Sequence, residues 1–138
     1  MTLLDAYALI AYLTAGPGVA QVRSILKDGD AAIATANLVE VLDVTQRVRG
    51  IPIERVRAVI DPLLDGTLAI IPLDLPIARR AAELRATHYN GKTCAISLAD
   101  AVLIASAQPG DRIATADPAV LDVTRVEGIS TLPLPGEG

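Results

Sequence analysis

The stretch Met1-Thr-Leu-Leu-Asp-Ala-Tyr-Ala-Leu-Ile-Ala-Tyr-Leu-Thr14 decides the fold. A short apolar run ends at Asp5, and an apolar stretch of helical length, Tyr7 to Leu13, begins at once beyond it. A strand that feeds directly into a helix opens a βα unit. The same transition recurs at Ala31-Ala-Ile-Ala-Thr-Ala-Asn-Leu-Val-Glu40 and at Ile113-Ala-Thr-Ala-Asp-Pro118. Worked outward, the pattern predicts strands at residues 2–5, 31–35, 69–73, 111–115 and 129–132. Helices are predicted at 6–14, 18–28, 37–49, 53–65, 75–88, 97–108 and 118–124. Start and stop signals agree: Asp74 as an N-cap with Pro76 in the first turn, Pro118 at a first helical position, and Gly29, Gly50 and Gly66 at helix ends. The reading is an α/β domain around a mainly parallel sheet of four to five strands.

The chain has 138 residues, 51% hydrophobic and 20% charged, a balance that supports one folded domain with a real core. No repeat or linker divides it, so a single domain is expected over residues 1–132, with a loose tail at 133–138. Cys94 is the only cysteine, which rules out an internal disulfide or a cysteine-rich zinc site and suits a reducing cytoplasm. Asp5 interrupts the first apolar run, which argues against a signal peptide, and no run of 18 apolar residues suggests a membrane span. The net charge of −4 argues against strong unspecific binding to nucleic acid, which depends on Lys and Arg. With three Tyr and no Trp or Phe, a base-stacking platform is not expected either.

Four acids stand at strand ends and helix starts, where open α/β sheets bind ligands. Each has a purely structural reading beside the functional one. Asp5 can be a turn or N-cap residue. Glu40 follows Asn37 at the spacing of a capping box, and Asp100 follows Ser97 in the same way. Asp117 can cap the helix that Pro118 begins. Asp100 opens a helix that is apolar almost all round, where a carboxylate without a counter-charge is costly. Thr115 projects to the same side of an extended segment as Asp117 and could orient a water or a phosphate oxygen.

A parallel topology brings these positions to one edge, and clustered Asp and Glu are what hard divalent ions require. Asp5 and Asp100 are expected to hold Mg²⁺ or Mn²⁺, directly or through water, with Glu40 and Asp117 completing the metal-binding set. A metal of this kind lowers the pKa of a bound water and stabilises charge on phosphoryl oxygens, which points to hydrolysis of a phosphodiester.

The segments Leu4-Asp-Ala-Tyr-Ala-Leu9, Leu38-Val-Glu-Val41, Ser97-Leu-Ala-Asp-Ala101 and Thr115-Ala-Asp117 together resemble the PIN-domain signature. The resemblance runs from residue 3 to about 132, and in segment order and length it is nearest to the VapC toxins of bacterial toxin–antitoxin pairs. It implies a three-layer α/β/α fold, Mg²⁺-dependent endoribonuclease activity on transfer or ribosomal RNA, a cognate antitoxin and a homodimer. Asn37 departs from the family pattern, which commonly has Ser or Thr there.

His88, the only histidine, reads as a solvated loop residue, and no G-x-S-x-G elbow accompanies it. Arg47, Arg49, Arg55 and Arg57 could contact phosphates but also read as ordinary surface charge. A haloacid-dehalogenase phosphatase would want a second Asp at position 7, where Tyr7 stands. A receiver-like phospho-acceptor domain would want paired acids near the start, where only Asp5 is found. A catalytically inactive interaction module suits the acidic chain, but retention of all four acids opposes it, since an uncompensated acidic cluster destabilises a fold.

Overall fold

The computed structural model describes residues 1–136, so Glu137 and Gly138, the end of the expected tail, lie outside the described residues. The elements are β1 (Thr2–Leu4), α1 (Ala6–Thr14), α2 (Val19–Lys27), β2 (Ala31–Ala34), α3 (Thr35–Arg47), α4 (Ile53–Leu64), β3 (Leu68–Ile71), α5 (Leu75–His88), α6 (Leu98–Ser106), β4 (Arg112–Thr115), α7 (Pro118–Glu127) and β5 (Ser130–Pro133). The strands form one parallel sheet in the order β3-β2-β1-β4-β5. Among the described residues no helix is long and apolar enough to cross a membrane.

Side chains alternate across the central strands, so the sheet is apolar on both faces and needs a helical layer on each. Leu3, Ala32, Ala34 and Ile113 pack with Ile77 and Leu84 of α5, residues 101–105 of α6, and Val120 and Val123 of α7. Leu4, Ala31, Ile33 and Ala114 pack on the other face with α1, α2, Val41 of α3, and Val56 and Ile60 of α4. The division follows from chain direction. Right-handed crossovers place their helices on the face set by the direction of travel along the sheet. The chain moves outward from β1 to β3 carrying α1 to α4, then back to β4 and on to β5 carrying α5 to α7. The result is a three-layer α/β/α domain.

Two expected boundaries shift for identifiable reasons. Helix α3 begins at Thr35 rather than at 37, because β2 ends at Ala34, its last residue paired with β3. The Thr35 hydroxyl is engaged outside the helix, accepting from the Leu73 amide at 3.2 Å. Helix α7 runs three residues past 124 and stops at Gly128, whose φ of 72° provides the left-handed stop. At the end of the chain, Pro133 closes β5, and Leu134 is buried and donates its amide to the Thr115 carbonyl. The Pro135 carbonyl accepts from the Tyr7 hydroxyl at 2.7 Å. Residues 133–135, expected to be loose, are therefore tied to β4 and α1.

Leu103 of α6 has no exposed surface and lies in the layer that joins α5 to the sheet. Leu103→Ala should cost about 2–5 kcal/mol of unfolding free energy, read from the urea midpoint. A loss below about 1 kcal/mol would show that this layer is not close-packed.

Candidate functional site

The connections leaving β1 and β4 go to opposite faces of the sheet, and the parting leaves a crevice at the carboxyl ends of this central pair. Asp5 stands directly after β1, and Asp117 two residues after Thr115, the end of β4. Glu40 arrives from the second turn of α3, which leaves the neighbouring strand β2, and Asp100 from the first turn of α6. All four line one cleft of about 330 Å³. Its walls are apolar, with Tyr7 and Ile10 from α1 and Val44 and Val48 from the end of α3, and the exposed Arg49 also lines it.

Asp5 is the most enclosed of the acids at 5% exposure. It caps α1 by accepting the Ala8 amide on Oδ1 at 2.8 Å, and its Oδ2 accepts the Thr115 hydroxyl at 2.6 Å. The Thr115 oxygen in turn accepts the Asp117 amide at 3.0 Å. Thr115 is fully buried and both sides of its hydroxyl are occupied. It joins the two acids that flank the crevice.

Asp100 and Ser97 form the capping box, with the Ser97 amide on Oδ2 at 3.0 Å and the Asp100 amide on the Ser97 hydroxyl at 3.0 Å. Asp117 caps α7 through Oδ1, which accepts the Ala119 amide at 2.9 Å. Each cap occupies one carboxylate oxygen and leaves the other available. The capping-box reading of Glu40 fails, because Asn37 lies inside α3 and bonds elsewhere. Among the described residues Glu40 has no hydrogen-bond or ion-pair partner.

Burial pushes the Asp5 carboxyl from 3.8 up to about 6, against the pull of its two hydrogen bonds, and the charges of Asp100 and Asp117 push the same way. Glu40 is raised by burial and then by the charges of Asp100, Asp117 and Asp43. Asp100 is raised by burial and by Asp117, against its bonds to Ser97. Asp5, Glu40 and Asp100 are thus half-buried to buried carboxylates whose ionisation is resisted.

Among the described residues no three His, Cys, Asp or Glu side chains close into a metal cage by themselves. The donor chemistry nonetheless fits a hard divalent cation held by one or two carboxylates, with water and substrate completing its shell. Such a charge would also offset the burial and the repulsion that raise Asp5, Glu40 and Asp100.

Other residues fall differently from their sequence readings. Of the four arginines around Gly50, Arg49 lines the cleft, while Arg47 pairs with Asp43 at 3.2 Å and Arg57 with Asp61 at 3.6 Å on the surface. His88 is not a loop residue. It ends α5 and meets Glu127 of α7 at 3.0 Å, mostly buried and away from the cleft.

The raised acids make stability depend on pH in a definite direction. A folded-state pKa above 3.8 means that the stabilising contribution is complete below about 4 and is lost as pH rises through about 6. For Asp5 alone the loss is on the order of 3 kcal/mol. In chelator, the melting temperature should contain a component that falls between pH 4 and 6. Asp100→Asn should flatten that fall and raise stability at pH 7, as read by differential scanning calorimetry. A steeper fall in the variant would contradict this account of the electrostatics.

A search of curated proteins gives no significant match. The fold is similar to DNA-bound VapBC from Salmonella typhimurium, at a TM-score of 0.72 and 20% identity over 96% of each chain. It is also similar to VapBC2 from Rickettsia felis bound to a promoter DNA fragment, at 0.71 and 16% identity over 97% of this chain and 98% of that one. FitAB bound to an IR36 DNA fragment matches at 0.68 and 26% identity, over 96% and 94%. The family model of the PIN domain matches residues 2–125, a span that takes in all four acids, and the chain belongs to the PIN domain family.

Proposed function

We propose that this PIN domain is a Mg²⁺-dependent endoribonuclease, with Mn²⁺ as a substitute, acting as the toxin of a toxin–antitoxin pair in the cytoplasm. The observation that carries the reading is the convergence of Asp5, Glu40, Asp100 and Asp117, from four separate segments, on the crevice at the switch point of the sheet. Family membership supports a nuclease acting on phosphodiester bonds.

Asp5 and Asp100 would hold the cation, and Glu40 and Asp117 would complete the acidic set. When bound, a cation of this kind lowers the pKa of water and offsets charge developing on phosphoryl oxygens. Asp5 is fixed by its bonds to Ala8 and Thr115, so its oxygens are pre-oriented. Asp117 is fixed by its cap bond and, through its own amide, to the same Thr115. Glu40 lines the cleft with no hydrogen-bond or ion-pair partner among the described residues, which leaves its carboxylate open to accept a proton from the attacking water. Arg49 lines the exposed side of the cleft.

Partners follow the same reading. Several solved structures similar to this chain are VapBC or FitAB complexes, which supports a cognate antitoxin here. The apolar walls beside an acidic floor suit a protein segment that combines apolar and basic side chains. An exposed apolar face at Leu73, Leu75 and Leu98, continuous with Ala78 and Ala82, supports a homodimer. The substrate is transfer or ribosomal RNA.

Purified protein freed of any partner should cut total RNA into discrete products in Mg²⁺ or Mn²⁺ and leave it intact in EDTA. Asp5→Asn, Glu40→Gln and Asp100→Asn should each lower the rate by at least about 100-fold, the scale of a lost acid–base or electrostatic group. RNA from several sources left intact under every metal condition would favour a catalytically inactive interaction module. Cleavage that persists in EDTA would remove the cation from the mechanism.

A further inference from the structure

Asn37 lies in the first turn of α3 with no exposed surface, three residues before Glu40. Its side-chain Nδ2 donates to the carbonyl oxygen of Ala99 at 3.3 Å, across the contact between α3 and α6. Ala99 directly precedes Asp100. A carbonyl can only accept, so the amide nitrogen must face Ala99 and Oδ1 must face away from it. Oδ1 is buried and has no hydrogen-bond partner among the described residues.

The other buried polar side chains within helices behave differently. Thr45 donates to the Val41 carbonyl, Ser106 to that of Val102 and Thr124 to that of Val120, each four residues back on its own helix. Asn37 reaches to another helix instead and leaves an acceptor unpaired, which costs stability. A leucine has the same branched outline and would carry no such cost. The position is therefore poorly explained by packing and well explained by what it connects.

Glu40 and Asp100 sit on the two helices that Asn37 joins, and their charges repel. We propose that Asn37 is a positioning residue: the hydrogen bond that its side-chain Nδ2 donates to the Ala99 carbonyl holds α3 against the first turn of α6 and so sets the spacing of Glu40 and Asp100 across the cleft. The inference rests on the divalent-cation reading of that cleft.

Asn37→Leu tests it on the full chain, with Mn²⁺ alone as the probe. The melting temperature in chelator should hold or rise, while Mn²⁺ affinity by isothermal titration calorimetry should fall at least tenfold and RNA cleavage with it. Asn37→Thr and Asn37→Val match in shape and differ by a hydroxyl. The threonine variant should bind Mn²⁺ more tightly than the valine variant at similar melting temperature, and this comparison stands even if the leucine variant does not fold. Wild-type protein that binds Mn²⁺, with Asn37→Leu binding it equally, would overturn the positioning role. So would threonine and valine variants of equal affinity. Wild-type protein that fails to bind Mn²⁺ at all would overturn the cation reading, and this inference with it.

Discussion

The rest of the site depends on the burial of one carboxylate at the carboxyl end of the central strand. Asp5 follows Leu4, which has no exposed surface, and its own backbone amide continues the β1–β4 ladder by donating to Ala114 at 3.2 Å. An acid here is tolerable only because two donors meet it, one from its own helix and one from the adjacent strand. The second donor depends on register. Leu4 pairs with Ala114, which places Thr115 beside Asp5 on the same side of the sheet. A slip of one residue would turn Thr115 to the opposite face and leave Asp5 without that bond. The parallel pairing of β1 with β4 and the existence of the site are therefore one constraint.

Capping and site chemistry read as competing explanations of the acids in the sequence, and in the structure three of the acids serve as caps while facing the cleft. Asp5 and Asp117 each give one oxygen to an amide in the first turn of a helix, and Asp100 gives one to the amide of the N-cap residue Ser97. A carboxylate has lone pairs to spare after that, and the positive end of a helix partly offsets its charge. Helix N-termini thus let a fold gather acids at one place at lower cost. Glu40 is the exception, since it lies within its helix and makes no such bond.

Elements were legible because short apolar runs and helical periodicity differ strongly in this chain, and the strand-to-helix transitions at Asp5, Thr35 and Asp117 carry their own punctuation. The limits of legibility were long-range. Asn37 looked like a cap because its spacing to Glu40 was right, but where α3 starts is set by where β2 stops pairing with β3, at Ala34 opposite the distant Ile71. The hydroxyl of Thr115 looked available because sequence shows the side it projects to and not the acid waiting there. The meeting of His88 with Glu127 and of Tyr7 with Pro135 joins segments that no local pattern relates. Arg49 is distinguished from Arg47 only by the cleft beside it.

By charge alone, an acidic chain with 16 Asp and Glu against 12 Lys and Arg is ill suited to RNA, and under the proposed reading that imbalance becomes part of the control. Without a cation, the field at the cleft repels a polyanion and the acids repel one another. A bound divalent ion reverses the local field and relieves the repulsion together. On the proposed reading, substrate attraction, assembly of the acidic set and local stability would be coupled through one binding event. A basic side chain delivered by a protein partner would satisfy the same carboxylates electrostatically while bringing no activated water. Under that reading, the feature that would make the cleft competent for hydrolysis would also open it to inhibition by simple charge replacement.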